Sequence, residues 1–150
     1  VHHIIGDMRL VLDTSVLVSA VRSPAGASAE IVRMGLRREL ALLCSVSLAF
    51  EYEAVLMRPA LLEMTGVDRK HIENALDALL GVVEPVEIAY QWRPILPDPN
   101  DDMVLEVAVN GRANAVVTFN LRDFAIVPAQ FGVDVLEPAS VMRRLRHAKA

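Results

Sequence analysis

Four short, mainly apolar stretches, at residues 10–12, 41–44, 115–118 and 133–136, alternate with longer ones whose apolar side chains recur at helical spacing. Runs this short and rich in Val and Leu read as buried strands rather than helices, most clearly residues 10–12, which polar residues bound. Ser28 is placed to cap a helix reaching about Arg38, with Ile31, Val32, Gly35 and Leu36 on one face. Leu48, Tyr52, Val55 and Leu56 predict a second helix, which Pro59 ends. Asp68 is placed to cap a third, with a stripe of Ile72, Ala75, Leu76, Leu79 and Leu80. Residues 86–88 read as a further strand, and Pro94, Pro97 and Pro99 as a rigid connection. A helix from Asp101 or Asp102 to Asn110 follows, with Gly111 as its C-cap, and a last helix covers residues 139–146. Strands alternating with helices predict an α/β fold whose parallel sheet is covered on both faces.

The 150 residues suffice for one domain with a real core, and a 53% hydrophobic content excludes a disordered chain. We expect residues 1–7 to be an extension, with His2 and His3 inert, and residues 8–150 to form a single domain. Cys44 is the only cysteine, so a disulfide scaffold and a cysteine zinc site are excluded, and a reducing cytoplasmic setting fits. No apolar run reaches the roughly 18 residues of a membrane helix. A signal-peptide pattern is missing as well. The net charge of −4 argues against a dedicated nucleic-acid binding module but not against a nuclease that loads metal. Two basic groups stand out as phosphate holders or solvated faces. One is Arg22, Arg33, Arg37 and Arg38; the other is Arg143, Arg144, Arg146 and Lys149.

Four acids sit where strands hand over to helices or loops. Asp13 ends the first run, Glu51 lies in the helix after the second, Asp102 opens the helix to Asn110, and Asp123 follows the third run. In parallel sheets the active crevice lies beyond the carboxyl ends of the strands. Carboxylates gathered there repel one another and resist desolvation, so a hard dication such as Mg²⁺ or Mn²⁺ is the natural neutraliser. Each acid also has a plainer reading as cap, turn former or surface residue. Ser15 could orient a metal-bound water or cap a helix; Thr118 and Asn120 could do the former or close a turn. Asp98, Asp101 and Asp102 exceed what capping one helix requires. If Asp102 belongs to such a cluster, Asp102→Asn should raise the metal-free melting temperature; a fall would mark a cap.

The motif Asp13-Thr14-Ser15, Glu51 within its helix, Asp102 ahead of Val117-Thr118, and the segment Thr118-Phe119-Asn120-Leu121-Arg122-Asp123-Phe124 together resemble the PIN domain family. They are closest in style to the toxin components of VapC-like ribonucleases. The resemblance runs from about Leu10 to Leu136. It implies a three-layer α/β/α sandwich around a mainly parallel sheet of about five strands. It further implies an endoribonuclease dependent on Mg²⁺ or Mn²⁺, with Asp13, Glu51, Asp102 and Asp123 as catalytic and metal-binding residues. Ser15, Thr118 and Asn120 would support them; Asp98 and Asp101 remain alternative acids. An RNA substrate, a cognate antitoxin and a homodimer are the implied partners, with Leu61, Leu62, Tyr90 and Trp92 offering a contact surface. The alternative is a catalytically silent module acting through a protein partner. A phosphatase or receiver domain is disfavoured, because Ser15 stands where a second Asp would be needed and the only lysines are Lys70 and Lys149. No glycine-rich phosphate loop is present, so no nucleotide cofactor is expected.

Overall fold

The computed structural model describes residues 8–90 and 95–149. The expected extension with His2 and His3, together with Trp92 and Pro94, lies outside them. Five parallel strands form one sheet: β1 (Arg9–Leu12), β2 (Ala41–Cys44), β3 (Glu84–Pro85), β4 (Ala115–Val117) and β5 (Asp134–Leu136), in the order β3-β2-β1-β4-β5. Successive residues of a strand face opposite sides, so full burial of Leu10, Val11 and Leu12 requires cover on both. The α/β sandwich expected from the sequence is the fold observed.

Among the described residues eight helices surround the sheet: α1 (Thr14–Arg22), α2 (Ala27–Leu36), α3 (Val46–Leu56), α4 (Pro59–Thr65), α5 (Arg69–Leu80), α6 (Pro99–Asn110), α7 (Val127–Phe131) and α8 (Pro138–Lys149). Helix α6 packs against β1, β2 and β4, burying Val104, Leu105, Val107 and Ala108. Helices α1, α2 and α3 pack through Val16, Leu17, Ile31, Leu48 and Leu56 into the same core.

Several local expectations shift. Ser28 does not cap α2; Gly26 holds the cap position, and the Ser28 hydroxyl is buried without a hydrogen-bond partner. Pro59 ends α3 only by starting α4 at its first position, where a missing N–H costs nothing. The strand expected at residues 86–88 is displaced to Glu84–Pro85, an edge position that tolerates proline. Ser45 caps α3 through the Leu48 N–H, and Asp68 caps α5 through the Lys70 N–H, as its placement suggests.

The chain leaves β1 toward β2 and β3 on one side and returns to β4 and β5 on the other. The strand order therefore reverses between β1 and β4, which opens a crevice beyond their carboxyl ends.

Candidate functional site

Register fixes what meets in that crevice. Leu12 pairs with Val117, and the Asp13 N–H donates to the Val117 carbonyl at 2.9 Å, so Asp13 and Thr118 leave adjacent strands side by side. The Asp13 carboxylate is 2% exposed and accepts three hydrogen bonds, all on Oδ2: from Ser15 Oγ at 2.8 Å, Thr118 Oγ1 at 2.7 Å and Asn120 Nδ2 at 3.4 Å. Among the described residues none falls on Oδ1. Ser15 and Thr118 also accept the N–H groups of Phe119 and Asn120, at 3.2 and 2.9 Å, which fixes the turn after β4. Of the two alternatives for Thr118, turn closure is the one observed, and the same hydroxyl also donates to Asp13.

Beyond this group lies an open cavity of about 620 Å³ lined by Asp13, Glu51, Asp98 and Asp101 among its walls. Glu51 is half-buried on α3 while Glu53 is exposed, as their different directions on a helix require. Next to Glu51, the Tyr52 hydroxyl donates to the Leu12 carbonyl and ties α3 to the end of β1. Asp98 caps α6 through the Asn100 N–H at 3.0 Å and still borders the cavity.

The two central acids of this helix start differ. Asp102, favoured from the sequence, is wholly buried and does not line the cavity. Its carboxylate accepts the N–H of Leu96 at 3.0 Å and of Ile95 at 3.3 Å, holding that segment against α6. Its neighbour Asp101 reaches the cavity, because adjacent residues on a helix point about a quarter-turn or more apart. Burial pushes the Asp101 carboxyl up to about 7, with Asp13, Asp98, Asp123 and Asp102 adding repulsion in that order. Asp123 is half-buried in the turn that follows Asn120 and lines a neighbouring recess with Ile95 and Arg122.

Among the described residues these acids have no cationic partner in an ion pair: none of the pairs engages Asp13, Glu51, Asp98, Asp101 or Asp123. The oxygen-only donor set suits a hard dication, and the repulsion felt at Asp101 is what such an ion relieves. Among the described residues no three such side chains already form a finished metal cage, so the acids surround the cavity rather than close on one point. Cys44 offers no competing chemistry: it is buried and its thiol is pushed up to about 12.

Part of each basic group is spent on other contacts. Arg33 and Arg37 bond Glu30 and Glu39, Arg144 bonds Asp134, and Arg143 bonds Ser140. Arg22 lines the cavity, joined by Arg58 and Phe119, two residues the sequence reading does not single out for the site. The signal for Phe119 was its place between Thr118 and Asn120. Of the expected contact surface, Leu61 is buried, Leu62 half-buried and Tyr90 exposed. Among the described residues no helix is long and apolar enough to cross a membrane.

A comparison with curated proteins finds no match. Among solved structures, the chain is similar to VapBC2 from Rickettsia felis, crystallised bound to a DNA fragment from the promoter, with a TM-score of 0.56 and 16% identity over 87% of this chain and 98% of that one. It is also similar to DNA-bound VapBC from Salmonella typhimurium, with a TM-score of 0.57 and 17% identity over 87% and 98% of the two chains. At such identities the likeness speaks for the fold. The PIN domain family model matches residues 9–122, a span that takes in Asp13, Glu51, Asp98 and Asp101 and stops one residue before Asp123. With most of its length matched, the chain belongs to the PIN domain family.

Proposed function

We propose that this protein is an endoribonuclease dependent on Mg²⁺ or Mn²⁺, the toxin of a type II toxin–antitoxin pair, with RNA as substrate and a cognate antitoxin as partner. The observation that carries the reading is a set of carboxylates, Asp13, Glu51, Asp98 and Asp101, around one cavity at the switch point between β1 and β4, none of them in an ion pair among the described residues. Membership of the PIN family and the VapBC assemblies among its structural neighbours support it.

In this reading Asp13 and Asp101 hold the metal, with Glu51, Asp98 and Asp123 completing or orienting its shell. Asp102 is a positioning residue that keeps the 95–97 segment and the start of α6 in place. A dication bound here supplies Lewis-acid polarisation of the scissile phosphate and a lowered pKa for a bound water. Asp13 is oriented for this by three donors on its Oδ2, while among the described residues no donor falls on Oδ1. Asp101 shares its surroundings with other carboxylates and gives up its proton most readily when a cation enters. No side chain is required as a covalent nucleophile.

Purified protein incubated with labelled RNA in Mn²⁺, Mg²⁺ or EDTA tests the reading. Metal-dependent cutting that Asp13→Asn and Asp101→Asn abolish is expected. Cutting that persists in EDTA, or in both variants, would overturn it.

A further inference from the structure

The amino edge of the sheet, opposite the acid cavity, carries two arginines in a conformation that suits glycine. Helix α2 leads into β2 and helix α6 into β4, so both helices end at that edge. Both end in the same turn. Past α2, the Glu39 N–H donates to the Met34 carbonyl at 2.9 Å and the Arg38 N–H to that of Gly35 at 3.0 Å. Past α6, the Ala113 N–H donates to the Ala108 carbonyl at 2.9 Å and the Arg112 N–H to that of Val109 at 3.4 Å. Such a turn puts one residue in the left-handed region, where glycine is favoured and a side chain is strained. Here that residue is Arg38, at φ 61°, and Arg112, at φ 55°, although Gly66 and Gly132 fill the left-handed positions elsewhere among the described residues. Both arginine side chains are exposed. At or just before the starts of β2, β3 and β5, the acids Glu39, Glu84 and Asp134 are each bonded by an arginine, namely Arg37, Arg9 and Arg144. Among the described residues neither Arg38 nor Arg112 is in an ion pair.

From this repeated arrangement we propose that Arg38 and Arg112 form a second phosphate-binding site, remote from the acid cavity, that holds the backbone of a nucleic-acid strand. The inference rests on the ribonuclease reading for the identity of that strand, an RNA whose cleaved bond lies in the acid cavity. A guanidinium is always charged and offers a fork of N–H donors that matches phosphate oxygens. A cation near the last carbonyls of a helix is favourable, but at an exposed position the gain is small and screened by salt, and glycine would suit the turn itself better. None of the exposed large apolar side chains among the described residues lies in the turns before β2, β3, β4 or β5. The edge therefore lacks the apolar anchors of a protein interface and keeps what a phosphate backbone needs. A chain of net charge −4 repels RNA on average, so local cations decide where the backbone rests.

The test measures fluorescence anisotropy of a labelled thirty-nucleotide single-stranded RNA with the full chain in EDTA over a series of salt concentrations. Without metal the acid cavity repels phosphate, so binding in EDTA reports the amino edge. Wild type should bind. Arg38→Gly and Arg112→Gly should each weaken binding roughly 3- to 10-fold and lower the slope of log K against log salt by about 0.7, the loss of one single-strand phosphate contact. Neither should lower the melting temperature, because glycine relieves the turn. In Mn²⁺ both should raise KM for the same RNA and leave kcat unchanged. Arg144→Gln, which removes a guanidinium already held by Asp134, should bind as wild type does. No binding by wild type in EDTA, or affinity and salt slope unchanged in the double glycine variant, would overturn the proposal. So would equal weakening by Arg144→Gln, or a lower melting temperature with binding intact. Polyglutamate bound through these arginines, with RNA binding independent of them, would give the edge to an acidic protein and also overturn it. Cleavage by wild type with arginine-independent binding would sink this inference and leave the nuclease standing. Arginine-dependent binding without cleavage in any metal would do the reverse.

Discussion

The carboxylates of Asp101 and Asp102 are adjacent in sequence and meet different atoms. Asp101 meets other carboxylates across a cavity; Asp102 meets backbone N–H groups. Their conversion to Asn should therefore move stability in opposite directions. Asp102→Asn weakens a charged acceptor for buried donors and should cost about 1–3 kcal/mol, with or without metal. This reverses the sign expected from the sequence, where Asp102 was assigned to the cluster. Asp101→Asn removes repulsion, and its effect depends on pH. The folded-state value of about 7 stands above the ordinary 3.8, so the folded protein retains a proton that the unfolded chain has lost. Below the lower value the group contributes nothing. As pH rises through the interval, metal-free stability falls, and above the upper value the penalty is complete, with an upper bound of about 4 kcal/mol. Melting curves in EDTA from acid to alkaline pH should show wild type losing stability across that window and Asp101→Asn losing less. A variant that melts below wild type at alkaline pH would contradict the assignment of Asp101 to the acid cluster.

At the level of elements, two contacts set the frame of the site. A Cβ on Gly35 would stand 2.3 Å from Leu42 Cδ1 and 2.8 Å from its Cγ, so α2 lies against β2 at a distance only glycine permits. Leu42 is itself 4% exposed and has little room to yield. Gly35→Ala should cost about 1–3 kcal/mol, and a double-mutant cycle with Leu42→Ala should show part of that recovered. Tyr52 joins α3 to β1 through the Leu12 carbonyl, one residue before Asp13. Tyr52→Phe should lower stability by about 0.5–2 kcal/mol in denaturant melts, since a buried carbonyl loses its partner. The sequence made the well-patterned elements legible. Residues 41–44 were bounded to the residue, with Ser45 closing an apolar run, and α5 announced itself through Asp68 and its stripe. What stayed hidden has physical reasons. Helix α1 mixes Val16, Val18 and Val21 with serines, so branched side chains blur its helical signal. Helices α4 and α7, at seven and five residues, are too short to show a period. The candidate acids were found by their position after strands, but the choice between Asp101 and Asp102 depends on helix phase. One residue of uncertainty in where α6 begins exchanges cavity for core, and Asp98, not a later residue, is the cap.

On the scale of the molecule, a chain of net charge −4 gathers acids at the carboxyl edge of its sheet, while Arg9 closes the opposite edge by bonding Glu84 at 2.6 Å and the Gly111 carbonyl at 2.6 Å. One end of the sandwich thus holds an internal ion pair, and the other is where the proposed function places a cation. Metal should stabilise the fold by mass action, raising the melting temperature in proportion to the logarithm of concentration above Kd. Asp13→Asn should lose most of that rise while remaining folded, whereas Glu53→Gln, on the exposed side of α3, should keep it. The most direct test of the account is RNA cleavage by the purified protein across Mn²⁺, Mg²⁺ and EDTA, with Asp13→Asn, Asp101→Asn and Asp102→Asn beside wild type. The account predicts metal-dependent cutting that vanishes in the first two variants and survives, reduced, in the third under conditions where it is folded. Full activity in Asp101→Asn together with complete loss in folded Asp102→Asn would contradict it.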